Sequence, residues 1–209
     1  MAKILLLVLL GTNAIVALGN PWIGVIVAYV FAIFGPQFIW FWAFEGIRPF
    51  FFAAIPAIIG FVFALLSDRA NTRALQEPIN FWMLLLWLSM IVSYFFGPYV
   101  GLPGSRHPAQ AFESLNKVFL FYFIAVMLID TPMKIKWATI PLLLTAVYFT
   151  YWANDMYLSG HVGQRLNGPR ALGGGSIYND ENTFALAFVT TLPFLYFLGW
   201  YIRNKILRL

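Results

Sequence analysis

The chain has 209 residues, of which 61% are hydrophobic and only 10% are charged. Soluble domains carry about 25% charged residues, so this composition excludes an ordinary soluble enzyme, and an aromatic content of 19% excludes a disordered chain. The mean hydropathy of +0.79 predicts an all-α, polytopic membrane protein whose excess apolar surface is solvated by lipid. The absence of cysteine excludes disulfides and thiolate chemistry.

Apolar runs separated by polar residues, Gly and Pro predict about seven transmembrane helices in a single membrane domain that covers residues 1–209. Their expected bounds are 4–18, 22–36, 51–67, 81–98, 118–130, 137–154 and 183–202. Pro21 is well placed to begin the second helix, because proline is favoured at a first helical position. The fifth helix is short, and an extension back over Ser114–Lys117 would lengthen it.

The N-terminus is open to two interpretations. Lys3, the apolar run after it and the small residues of Ala17–Gly19 resemble a cleaved secretory signal. Pro21 would then follow the cleavage site almost at once, and a second apolar segment begins at Trp22. We therefore favour a first helix that is retained in the protein.

The basic residues indicate an orientation in the membrane. The net charge of +5 comes from Lys and Arg scattered over short segments, which favours membrane orientation over nucleic-acid binding. One side of a seven-helix arrangement carries Arg69, Arg73, Lys134, Lys136, Arg203, Lys205 and Arg208. These residues lie in the shorter loops, so we expect that side and the C-terminus to face the cytoplasm of a bacterial inner membrane. Lys3 argues mildly for the opposite orientation.

The segment 155–182 is expected to be an external loop rich in glycine and arginine. Arg165 and Arg170 offer planar guanidinium groups that can clamp phosphate or carboxylate, and glycines allow close approach of the backbone to a ligand. Asp180 and Asn182 near its end are good N-cap residues. The alternative interpretation is a flexible loop that ends in a helix cap. Gly173–Gly175 is not a nucleotide-binding motif, because no Lys-Ser or Lys-Thr follows.

The segment 99–117 contains further polar residues, Arg106, His107, Glu113 and Lys117. Glu113 and Lys117 are four residues apart, so on a helix they could simply pair with each other. Lys117 could also extend its ammonium to the membrane surface. The two histidines, His107 and His161, do not have the spacing of a metal site, and we expect no metal and no cofactor.

Glu45 and Arg48 lie within a run of aromatic residues. One interpretation is an aromatic belt at the membrane surface with an exposed ion pair. The other is a surface that holds a long-chain lipid near its phosphate group.

Several motifs together resemble the N-terminal half of the O-antigen ligase and polymerase superfamily, and in particular the O-glycosylation ligases associated with exosortase systems. The similarity spans nearly the whole chain, in the segments Asn20–Val25, Glu113–Lys117, Arg165–Pro169, Ser176–Ala187 and Leu192-Pro193. The sequence departs from the family at Glu181, where an Asn or Pro is usual. It also lacks the half with the family's essential His, and neither His107 nor His161 occupies that position.

The resemblance implies a glycosyltransferase function without metal or nucleotide. Family members transfer a glycan from an undecaprenyl-diphosphate donor to an acceptor on the periplasmic side, and Arg165 matches the arginine that engages the lipid diphosphate. Arg170, Arg106 and Lys117 could add positive charge there, whereas the catalytic base is not evident, so we expect the chain to be incomplete as a catalyst on its own. The alternative is a non-catalytic membrane subunit, such as a transporter component or an assembly partner. The identity of the acceptor stays open.

Overall fold

The computed structural model describes residues 2–44, 47–97, 108–160 and 181–201, and this part of the chain contains helices and no strands. Seven helices have 13 residues or more: α1 (Ala2–Gly19), α2 (Pro21–Ile33), α5 (Pro49–Leu66), α6 (Pro78–Phe96), α7 (Pro108–Leu128), α8 (Pro132–Leu158) and α9 (Glu181–Tyr201). Two four-residue helices, α3 (Pro36–Ile39) and α4 (Phe41–Phe44), and a 3₁₀ helix (Thr72–Gln76) lie between them. The predicted all-α fold is confirmed for these residues.

Three of these helical segments are long and apolar enough to span a membrane, fewer than the seven predicted. They are Pro49–Leu66, Pro78–Phe96 and Ala111–Leu128. Helix α2 falls short because its 13 residues cover only about 20 Å at about 1.5 Å per residue. Helix α8 is long, but its charge-free stretch 137–154 contains Pro141, three threonines and several Trp and Tyr residues, which lower its mean hydropathy.

Several helix bounds differ from the predictions, and α8 is longer at both ends, covering Pro132–Leu158 instead of 137–154. Two of the differences have identifiable reasons. Helix α7 begins at Pro108, well before the predicted start at Val118, because the polar residues between them continue the helix. Helix α2 ends at Ile33 because Gly35 adopts a left-handed conformation with a φ of 60°. Such a conformation is favourable for glycine and ends a helix. Pro21 begins α2 as predicted.

Small residues bring α1, α2 and α5 into close contact at the centre of the bundle. Ala17, Ala28 and Ala57 are fully buried. A Cβ added at Gly24 would lie 2.6 Å from the Cβ of Ala17 and 2.9 Å from that of Ala57. Membrane helices associate largely through such close backbone packing, because lipid is as apolar as a leucine side chain. This three-helix unit forms the main core, and α7 covers it with Phe121 and Ile124.

Helices α6 and α7 form a hairpin through aromatic stacking and side-chain hydrogen bonds. The Trp87 ring stacks on Phe119 with centroids 6.0 Å apart, and its Nε1 donates a 2.7 Å hydrogen bond to Oδ1 of Asn116. Farther along the pair, Tyr94 stacks on Phe112 at 4.0 Å. These contacts fix α7 beside α6 over much of its length.

A buried polar network closes the other end of the same hairpin. Asn80 is only 4% exposed. Its Nδ2 donates a 2.6 Å hydrogen bond to the carbonyl oxygen of Ala74, and its Oδ1 accepts one of 2.7 Å from the Tyr122 hydroxyl. Asn80 therefore links the 3₁₀ helix, α6 and α7.

We expect Asn80→Ala to destabilise the folded protein by about 1–3 kcal/mol, because it removes both hydrogen bonds of a buried side chain and leaves the partly buried Tyr122 hydroxyl without this partner. Tyr122→Phe removes only one hydrogen bond and should cost about 0.5–1.5 kcal/mol. Denaturant unfolding of the purified protein in detergent measures both effects. Unfolding of Asn80→Ala at the parent's midpoint would show that the network does not stabilise the fold.

Candidate functional site

Six helix ends lie together at one end of the bundle, which we call the loop end. Helices α2, α6 and α8 end there, and α5, α7 and α9 begin there. Aromatic contacts connect the ends of α2, α8 and α9. The ring centroids of Phe34 and Tyr148 are 5.1 Å apart, and those of Phe149 and Phe184 are 5.4 Å apart. The segments 97–107 and 159–180 connect helix ends at this side of the bundle. Arg106 belongs to the first segment, and Arg165 and Arg170 belong to the second.

The predicted site residues are only partly within the described structure. Lys117 lies on α7 and Asn182 is the second residue of α9. The other predicted site residues, Arg106, Arg165, Arg170 and Asp180, lie outside the described residues, as do Glu45, His107 and His161. The grouping of the arginines around a ligand therefore stays a prediction.

Lys117 has two partners near the loop end. Its Nζ lies 2.5 Å from Oε1 of Glu113, which confirms that these residues pair on one face of the helix. The same ammonium lies 5.4 Å from the centroid of the Phe51 ring, within the range of a cation–π interaction. The side chains of Lys117 and Glu113 are 40% and 66% exposed, so the ammonium stays accessible. The pair also falls inside the apolar span Ala111–Leu128, ahead of the predicted start of this helix at Val118.

An aromatic cluster holds the end of α8 and the start of α9 together, on either side of the segment 159–180. Phe149 on α8 is fully buried, and Phe184 on α9 is 3% exposed. Phe34 stacks on Phe149 at 6.3 Å, so the end of α2 joins the cluster. Asn182 is exposed within the first turn of α9, so it is not the N-cap that the sequence suggested, while the alternative cap, Asp180, is not described.

The aromatic run 38–52 is only partly an exposed belt. Trp40 and Trp42 are 43% and 56% exposed, as an interfacial position predicts. Phe44, by contrast, is 8% exposed and packs edge-on against Phe31 at 6.3 Å. The proposed ion pair of Arg48 with Glu45 lies partly outside the described residues. Sequence reasoning missed the two short helices here, although the Gly35-Pro36 pair is a recognisable turn signal.

The structure and the comparisons with known proteins bear on metal binding and on the family. Within the described ranges, no group of three or more His, Cys, Asp or Glu side chains could hold a metal ion. Comparisons of the chain with protein-family models, with curated proteins and with solved structures found no match.

Proposed function

We propose that this chain is a polytopic inner-membrane protein, with seven transmembrane helices, that binds an undecaprenyl-diphosphate-linked glycan at the loop end. In this proposal it is similar to the O-glycosylation ligases, which transfer such a glycan to an acceptor on the periplasmic side. The observation that carries the proposal is the motif from Arg165 to Asn182, which leads directly into α9 at the end of the bundle where Lys117 lies.

The exposed apolar surface supports insertion in a membrane. Only 6% of the apolar window of α6 is buried, and Ile79, Trp82 and Phe95 are each 66% exposed. So much exposed apolar surface would be costly in water. The short helix α2 fits the same environment, because it packs against both α1 and α5 in the core of the bundle.

The chemistry of the loop end supports binding of a diphosphate. In a transfer of this kind the diphosphate departs with negative charge, which cationic groups stabilise. Arg165 and Arg170 lie in a segment whose two ends are fixed by α8 and α9, and Lys117, in the middle of α7, adds an accessible ammonium beside Phe51 at the start of α5. Arginine suits this role because its planar fork donates two parallel hydrogen bonds to phosphate oxygens.

Binding of the lipid-linked glycan to the purified full chain tests this proposal. The parent in nanodiscs should bind an undecaprenyl-diphosphate glycan saturably, and it should bind undecaprenol of the same length much more weakly. Equal binding of both lipids, or of neither, would contradict the proposal and favour a non-catalytic membrane subunit.

The orientation can be tested with single cysteines, because the chain has none of its own. We expect a membrane-impermeant maleimide to label Ala171→Cys in intact spheroplasts, and the exposed Thr72→Cys only after permeabilisation. Ile124→Cys, a position that is 1% exposed inside α7, should stay unlabelled in both conditions. Labelling of Thr72→Cys in intact cells would reverse the orientation and exclude periplasmic transfer.

A further inference from the structure

Helices α8 and α9 form a pair at the side of the bundle. Helix α9 packs mainly on α8, through the buried residues Phe149, Phe184 and Ala187. Helix α8 in turn packs mainly on α9 and on α2. A motion of the pair would therefore change its contacts with α2 and leave the close packing among α1, α2 and α5 in place.

The backbone of α8 is weak at one turn. Pro141 lies inside the helix and has no N–H, so the carbonyl of Trp137 lacks its usual helical hydrogen bond. Thr139 and Thr145, on either side of Pro141, each donate a 2.8 Å hydrogen bond from the hydroxyl to the carbonyl oxygen four residues earlier. Threonine bonds of this kind often bend a helix, and proline is a common cause of kinks. Helix α8 is therefore predisposed to bend near Pro141.

A cavity of about 140 Å³ lies beside this turn, between α8 and α2. Its walls are almost entirely apolar and include Ala138 and Leu142 on α8 and Tyr29 and Val30 on α2. Protein interiors contain few voids larger than a water molecule, whereas a cavity of about 150 Å³ holds a benzene-sized group. Helix α8 therefore has free space towards α2 at the turn where its backbone is weak.

The two halves of α8 are attached to different parts of the structure. Before Pro141, Nζ of Lys134 donates a 2.9 Å hydrogen bond to the carbonyl oxygen of Leu128, which fixes the start of α8 to the end of α7. After Pro141, the fully buried Phe149 contacts Phe184 on α9 with ring centroids 5.4 Å apart. The weak turn lies between these two attachments, where a hinge would have to be.

We propose that α8 is hinged at Pro141 and that its loop-end half, residues 142–158, swings together with α9 towards α2. The structure shows the position in which the cavity is open. In the second position Leu142 and Thr145 close it. Because the segment 159–180 connects α8 to α9, the swing moves both ends of that segment together relative to α7. The hinge goes beyond the proposed function, since it does not depend on which ligand the segment binds.

Distances between spin labels on the full chain in nanodiscs, without added glycan donor, test the hinge. Tyr151→Cys on the loop-end half of α8 is paired with Phe95→Cys on α6, because these side chains are 65% and 66% exposed. Tyr151 lies about 15 Å along the helix axis from Pro141, so a bend of about 20° shifts it by about 5 Å. Double electron–electron resonance should resolve two distances that differ by up to about 5 Å. The control pair Met133→Cys and Ile79→Cys, which joins the start of α8 to α6, should give one distance.

Two variants act on the hinge itself. Ala138→Leu fills the cavity and should leave only the distance of the open position. Pro141→Ala supplies the missing N–H and should also leave a single distance. Ala185→Leu is the matched control, because it makes the same change as Ala138→Leu at an exposed position of α9, and it should keep both distances. A single distance in the parent, as narrow as that of the control pair, would overturn the proposal. So would persistence of both distances in Ala138→Leu or, if that variant does not fold, in Pro141→Ala.

Discussion

We expect Gly60→Ala to destabilise the protein, although alanine is the better helix former by about 1 kcal/mol. The new methyl group would press on the carbonyl group of Ala17, whose carbon lies 3.1 Å from the added Cβ. A backbone group of a packed helix cannot move alone, so α1 and α5 have to separate. Overpacking of this kind costs about 1–3 kcal/mol, and separation would also weaken the contact at Gly24. We therefore expect a net loss of about 1–2 kcal/mol, and a larger loss for Gly60→Leu.

Gly11→Ala is the matched control for this prediction. It places the same methyl group on α1, in a position where nothing lies within 4 Å. Thermal unfolding of both variants in the same detergent should show a lower midpoint for Gly60→Ala only. Equal midpoints for Gly60→Ala and the parent would show that α1 and α5 are not in the close contact described above.

Much of the helical architecture could be predicted from the sequence, because long apolar runs bounded by proline determine where helices form. Pro49, Pro78 and Pro132 each begin a helix, two to five residues before the predicted starts at 51, 81 and 137. The start of α7 could not be located from apolar character alone, because Glu113 and Lys117 interrupt the run. The helix continues through them, and they pair with each other on one of its faces. The left-handed Gly35 and the two short helices after it reflect local backbone geometry that an aromatic run does not reveal.

Fewer contacts of the candidate site than of the fold could be predicted from the sequence. The pairing of Glu113 with Lys117 followed from their spacing, whereas the contact of Lys117 with Phe51 joins two distant helices and has no local signal. The cavity beside Pro141 likewise depends on how α8 packs on α2. Helix packing of this kind depends on contacts between residues that are distant in the sequence, and local sequence patterns do not reveal such contacts.

The strongest functional effect is expected at Arg165. Its guanidinium lies in the motif that resembles the ligase family, and Arg170 has no such match. A hydrogen bond to an ionised group contributes about 1.5–3 kcal/mol, so Arg165→Ala should weaken binding of the glycan donor by roughly 10- to 150-fold. Arg165→Lys should recover only part of this loss, because an ammonium keeps the charge but not the planar fork. Arg170→Ala should have a smaller effect.

Binding of an undecaprenyl-diphosphate glycan to the parent and these three variants in nanodiscs tests the central claim most directly. Thermal melting of each preparation establishes that the variants are folded. The account predicts that affinity falls in the order parent, Arg170→Ala, Arg165→Lys, Arg165→Ala. Equal affinities of the folded parent and the folded Arg165→Ala variant would contradict it.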